Sequence, residues 1–374
     1  MKKKIFVMLF VLVLIPLLAA CQPQVVTQEV QVEVTKVVEV EKPVQVEVTK
    51  VVEVEKKGPV TIGYGAPSLD AFQTNVMISM TKYAQDMGWQ VVTSNANFDA
   101  EAQANEVDYW ISLGVNAIVV VPIDSKAICA SVKKAKDAGI PFFTIDRAPM
   151  GCEIDMTVQA DNELGGKQSG EAIVKFLKEK NGSEKGTVLE LQGDMGQNVA
   201  QLRSKGFNNV MKQYPNIKVI SKPTEWKGEK FQQATLDVVG SEAVDAIYAH
   251  SDTVGAMPIL SALEQLGKKF PAGDPNHIYL ATIDGSNTCL SAIREGYQDQ
   301  CSSQPNPDFG ILVNYIDMVL KGEEIKEGPV VKEGAPWSPA TIFKSDTGMM
   351  LNLATTSVTK DNVDDTNLWG NIVK

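Results

Sequence analysis

From residue 60 onwards the chain alternates short, continuous apolar runs with longer stretches whose apolar positions recur at helical spacing. The runs at 60–66 (VTIGYGA), 117–122 (AIVVVP) and 141–146 (PFFTID) read as strands, with an extended segment at 89–94 and helices over 71–88, 100–113 and 125–138. A second set follows: helix 162–178, strand 187–192, helix 198–214, strand 218–221, helix 229–239, strand 246–250, helix 253–266 and strand 278–284. Helices at 286–296 and 308–321 flank a last extended stretch, 298–304. Unbroken Val and Ile runs between helices are the pattern of parallel sheets covered on both faces. The predicted fold class is therefore α/β, built as two βαβ domains.

The first 57 residues obey other rules. Lys2, Lys3 and Lys4 precede an apolar run from 5 to 18 and the small residues Ala19 and Ala20, the layout of an export signal over 1–20. The run is short of the roughly 20 residues a membrane span needs. LAAC, residues 18–21, resembles the lipobox of bacterial lipoproteins, which implies lipidation of Cys21 as the new N-terminus. Residues 21–57 then hold VQVEVTKVVEVEK twice, over 30–42 and 44–56, with Pro43 between. Alternation with period two predicts an extended spacer that carries no chemistry.

Composition narrows the function. With 46 Asp and Glu against 35 Lys and Arg, the net charge is −11, and loss of the three leading lysines takes it to −14. No attraction to nucleic-acid phosphate is expected. Two histidines, five cysteines and no CxxC pair give no basis for a metal or cofactor.

In parallel α/β sheets ligands sit beyond the carboxyl ends of the strands. Here those ends carry Asp146 and Arg147, His250 and Ser251, Asp284 and Gln304, a set of acceptors and forked donors suited to a ring of hydroxyls. Phe72 after the first strand and Trp226 after the strand at 218–221 offer flat faces for the C–H side of a sugar. His250 is left between a ligand contact and a packed strand-end residue.

IDR (145–147), ADNELGGK (160–167), LELQG (189–193), IDG (283–285) and QPNPDFG (304–310) together resemble the type I periplasmic binding proteins of the ribose-binding kind, the extracytoplasmic receptors of sugar ABC transporters. The resemblance implies two Rossmann-like lobes, 58–160 with 305–354 and 161–304 with 355–374, joined by a three-segment hinge. It implies ligand contacts from Asp70, Phe72, Gln73, Asp146, Arg147, Trp226, Ser251, Asp284 and Gln304. Gln201 stands where the family's sugar-contacting Arg falls, and Arg203 where a second, structural Arg lies. Ser251 replaces the usual Asn, and with Gln201 in place of the Arg a ribose-shaped set of partners is incomplete, so a different pentose, a hexose or a polyol fits as well. The implied partners are a sugar or polyol, an ABC permease and the membrane through a lipid anchor, for a monomer on the outer side of the membrane. A receptor for a chemotaxis or sensor-kinase partner is the alternative. A LacI-type regulator shares the fold but needs an N-terminal helix-turn-helix, and a hydrolase using Asp146 and Asp284 lacks a nucleophile elbow or metal set.

Four cysteines remain after Cys21, an even number in an exported chain. Cys129 and Cys152 lie near strand carboxyl ends, while Cys289 and Cys301 fall at similar height on a helix and the extended segment returning beside it. Both pairs are expected as disulfides.

Overall fold

The computed structural model describes residues 58–372; the expected export signal, Cys21 and the spacer lie outside the described residues. The chain runs β1 (Thr61–Ala66), α1 (Ala71–Asp86), β2 (Gln90–Asn95), α2 (Ala100–Leu113), β3 (Ala117–Val120), α3 (Ile128–Asp137), β4 (Phe142–Ile145) and β5 (Ile154–Ala160). It crosses to a second sheet through α4 (Asn162–Asn181), β6 (Gly186–Gln192), α5 (Asn198–Met211), β7 (Ile217–Pro223), α6 (Gly228–Ser241), β8 (Ala246–Ala249), α7 (Asp252–Gln265), β9 (Tyr279–Asp284), α8 (Asn287–Glu295) and β10 (Gln300–Ser303). A 3₁₀ turn (Asn306–Ile311), α9 (Leu312–Leu320), β11 (Gly328–Val330), β12 (Ala340–Ser345) and β13 (Gly348–Leu353) return to the first sheet, and β14 (Thr356–Val358) with α10 (Trp369–Ile372) ends on the second.

The eight-stranded sheet has the order β11-β12-β13-β5-β4-β3-β1-β2 and the six-stranded sheet β14-β10-β9-β8-β6-β7. All pairings are parallel except β11 with β12, β12 with β13, and β10 with β14. Each sheet reverses its order beside its first strand, β1 or β6, the point where α/β folds open a crevice. The chain passes between the sheets three times, after β5, β10 and β13.

Strands β5 and β11 to β14 are absent from the predicted set. The alternation in β5, IDMTVQA, hides a central strand, because Thr157 and Gln159 are buried and satisfied laterally. The Thr157 hydroxyl meets that of Thr144 at 2.8 Å, and Gln159 Nε2 donates to Asn352 Oδ1 at 3.2 Å.

The helices begin and stop on local signals. Asp99 accepts from the Glu101 and Ala102 amides and Asp161 from the Leu164 amide, while Gly114 and Gly182 close α2 and α4 in the left-handed region. Helices α4 and α5 cross at close range. A Cβ on Gly166 would lie 2.1 Å from the Arg203 carbonyl oxygen, and one on Gly206 2.0 Å from that of Glu163. Glycine on both helices lets the backbones touch and holds α5 at the depth where Arg203 reaches the cleft. Gly206→Ala is expected to force the helices apart and cost about 1–3 kcal/mol or more of stability; a urea melt with an unchanged midpoint would refute this.

Cys129 and Cys152 are joined by a disulfide. Cys289 and Cys301, expected as a second pair, are instead free thiols, both wholly buried among Leu290, Ile293, Val358 and Leu368. Burial pushes both thiols up.

Candidate functional site

A cavity between the two sheets is lined by Asp70, Phe72, Gln73, Phe98, Asp146 and Arg147 from the first and by Val199, Arg203, Trp226, Ser251, Thr253, Val254 and Asp284 from the second. Among the described residues six non-glycine residues have left-handed φ, and four of them, Phe98, Asp146, Trp226 and Asp284, line this cavity. Strained backbone of this kind persists where the fold over-determines it, and it concentrates at ligand clamps.

Asp146 follows β4 with φ of 66°. Its Oδ2 accepts from Gln73 Nε2 at 2.9 Å and faces Arg147 Nε at 3.5 Å. Burial pushes the Asp146 carboxyl up against the opposing pull of the Arg147 guanidinium and the Gln73 bond, and burial lowers Arg147 against the pull of Asp146. Asp70 lines the cavity while serving as the N-cap of α1: it accepts from the Gln73 amide at 3.0 Å and from Ser68 Oγ at 2.5 Å. That cap presents Phe72 and Gln73 from the first turn. Phe72 is braced edge-on by Phe309 at 6.4 Å and Trp369 at 5.9 Å.

On the other side Asp284, at φ 124°, is the hub. It accepts from Ser251 Oγ (2.5 Å), the Thr253 amide (3.3 Å), Gln304 Nε2 (2.8 Å) and Arg203 Nη1 (3.3 Å). Arg203 also donates from Nε to Asn162 Oδ1 at 2.8 Å and from Nη1 to the His250 carbonyl, and its guanidinium lies 5.4 Å from the Trp226 ring centroid. Burial pushes Asp284 up to about 7, opposed by Arg203 and reinforced by Asp252. An unfolded Asp titrates near about 3.9, so between these limits the folded chain holds more protons, and this group's contribution falls as pH rises through the window. Asp284→Asn is expected to flatten the pH dependence of the melting temperature between roughly pH 4 and 7. Superimposable wild-type and variant profiles would contradict it.

Most sequence-derived site residues meet here, with two exceptions. Gln201 is solvent-exposed and donates to the Met195 carbonyl at 2.8 Å. Val199 and Arg203, four apart, share the helix face that lines the cavity, and Gln201 falls about 200° round from Val199 at 3.6 residues per turn. Gln304 stands behind Asp284 and reaches it from the hinge rather than lining the cavity. Arg203, Phe98 and Thr253 were not among the expected contacts. His250 does not line the cavity: its Nδ1 accepts from the Gly193 amide at 3.2 Å, which leaves Nε2 to donate to Glu190 at 3.2 Å. Burial lowers His250 against the pull of Glu190, and the bonds Glu190 receives from His250, Ser221 and Ser204 outweigh its own burial and hold it low.

Four buried side-chain atoms of cavity-lining residues have no hydrogen-bond partner among the described residues: Asp146 Oδ1, Gln73 Oε1, Arg147 Nε and Thr253 Oγ1. Two acceptors, one charged donor and one hydroxyl thus belong to residues that line the cavity together with Phe72, Phe98 and Trp226.

Two α/β lobes closing on a polar, aromatic-walled cavity define a solute-binding architecture. The chain belongs to the periplasmic binding protein domain family, whose model matches residues 64–324, and it is a binding protein rather than an enzyme. It is 30% identical over 273 residues to the xylitol-binding protein of Mycolicibacterium smegmatis, covering 72% of this chain and 74% of that protein. It is 32% identical over 280 residues to the galactofuranose-binding protein of Escherichia coli, covering 69% and 82%. Its fold matches that of an ABC transporter solute binding protein from Bacillus halodurans with bound myo-inositol, at TM-score 0.70 and 22% identity, over 83% of this chain and 98% of that one.

Proposed function

We propose that this protein is an extracytoplasmic receptor that captures a monosaccharide or polyol between its closing lobes and delivers it to an ABC permease. The carrying observation is the set of unpartnered buried atoms on Asp146, Gln73, Arg147 and Thr253, residues that line the cavity with Phe72, Phe98 and Trp226. Buried polar groups need partners, and a polyhydroxylated ligand supplies alternating hydroxyl donors and acceptors over an apolar C–H face. The relatives named for xylitol and galactofuranose, and the neighbour with myo-inositol, are of this chemistry. A ligand touching both lobes binds the closed form better than the open one, and that difference drives closure.

The N-terminal layout supports export and lipid attachment at Cys21, with the repeat acting as a spacer between membrane and lobes. Among the described residues no helix is long and apolar enough to cross a membrane. A thermal-shift screen over pentoses, hexoses, furanoses, xylitol and myo-inositol tests the binding reading. At a thousand-fold excess over Kd the cognate compound is expected to stabilise the protein by about 4 kcal/mol. A flat response across the whole screen would count against it. Intact-mass analysis of the mature protein tests the lipid at Cys21.

A further inference from the structure

Gln197 occupies the N-cap position of α5 yet makes no cap bond to its own helix. Its side chain, buried to 1% exposure, is spent elsewhere. Oε1 accepts from the Trp226 indole N–H at 2.7 Å, within its own lobe, and Nε2 donates to the Ile123 carbonyl at 2.8 Å, in the opposite lobe. One amide therefore ties the aromatic wall of the cavity to the facing rim.

Both ends of this tie are fixed in advance. On the first lobe Gln103, from α2, accepts from the Ile123 amide at 3.0 Å and donates to the Val121 carbonyl at 2.9 Å, which sets the direction of the Ile123 carbonyl. On the second lobe Glu225 and Trp226 are successive left-handed residues, φ 53° and 58°, in a turn fastened by Thr224 Oγ1 to the Gln192 carbonyl at 2.6 Å. The neighbouring Asn198 adds cross-lobe bonds of its own: its Oδ1 accepts from the Ala148 amide (3.0 Å), its Nδ2 donates to Gln159 Oε1 (3.0 Å) and its amide to Ser125 Oγ (3.2 Å). The first two turns of the same helix deliver Val199 and Arg203 to the cavity.

We propose that Gln197 is a positioning residue that latches the lobes shut and locks Trp226 against the ligand in one step. Opening the lobes separates Nε2 from the Ile123 carbonyl, and the amide that orients the indole is then free to turn to water. Closure and the setting of the aromatic wall are thus one event, and Trp226, with its N–H taken, shows the ligand only an apolar face. The latch acts on closure itself, whatever solute fills the cavity, so it can be tested apart from the sugar reading.

Gln197→Glu separates the two bonds. A carboxylate still accepts from the indole N–H but turns a second acceptor towards the Ile123 carbonyl. Incorporating 5-fluorotryptophan into the full chain, with its five tryptophans, gives a fluorine resonance for Trp226, assigned through Trp226→Phe. In ligand-free protein the closed-state signal is expected to lose about ten-fold in population in Gln197→Glu, the size of one buried bond replaced by repulsion. Gln201→Glu, exposed on the same helix, controls for added charge and is expected to leave the signal unchanged. Added xylitol and D-ribose form separate arms: failure of both to move the wild-type signal bears on the sugar reading and leaves the ligand-free comparison intact. Equal closed populations in wild type and Gln197→Glu, or no closed signal in ligand-free wild type, would overturn the latch.

Discussion

Arg147→Ala is expected to lower affinity for the sugar or polyol by about two orders of magnitude or more while the ligand-free protein stays folded. Arg147 Nε is buried without a partner among the described residues, its Nη1 reaches the Pro122 carbonyl at 3.3 Å, and its charge faces Asp146 at 3.5 Å. A hydrogen bond to a charged group is worth about 1.5–3 kcal/mol, and truncation removes the free Nε donor together with the charge beside Asp146. It also leaves Asp146 without the largest of the charges that oppose its burial, so the carboxyl is pushed further up. Asp146→Ala attacks the same clamp from the other side: it deletes the free Oδ1 and releases Gln73 Nε2. Calorimetric titration gives the affinities, and a thermal melt without ligand shows whether the fold survives. Unchanged affinity in both variants would remove these residues from the site.

Much of this site was legible because strand ends announce themselves. The runs ending at Asp146 and Asp284 are apolar enough to be read as buried strands, and a carboxylate at the exit of such a run has few structural uses. Phe98 left no such mark. It enters the cavity because Asn97 and Phe98 both turn left-handed after β2, a backbone event that no side-chain pattern encodes. Arg203 and Gln201 show a different limit. Lying two residues apart on one helix, they exchange roles according to its rotation, which the Gly166–Gly206 crossing fixes and a single sequence does not display. Gln197 was hidden for a third reason: its partners, Ile123 and Trp226, lie 74 and 29 residues away, on different lobes. The thiols of Cys289 and Cys301 were correctly placed near one another but not as a bridge; both remain in an apolar pocket beside Asp252, whose carboxylate is already taken by the Gly285 and Ser286 amides.

Gly193→Ala is expected to weaken ligand binding by about ten- to a hundred-fold through a residue it does not replace, the size of a displaced aromatic contact. A Cβ at position 193 would lie 2.0 Å from the nearest atom of the Trp226 ring, inside any permissible contact. The Gly193 amide is held by His250, and His250 by Glu190, so the backbone at 193 has little room to retreat. The indole must move instead, taking its N–H away from Gln197 and its ring away from Arg203. The fold should tolerate this, because Trp226 belongs to a small cluster with Val199 and Ala200 rather than to either main core. A double-mutant cycle decides the route. If Gly193 acts only by making space for the indole, then Gly193→Ala adds nothing once Trp226→Ala is present, and the double variant binds like the Trp226 single variant. Additive losses would instead mean that position 193 contributes to the cavity directly, and that the glycine is not there for the sake of the tryptophan.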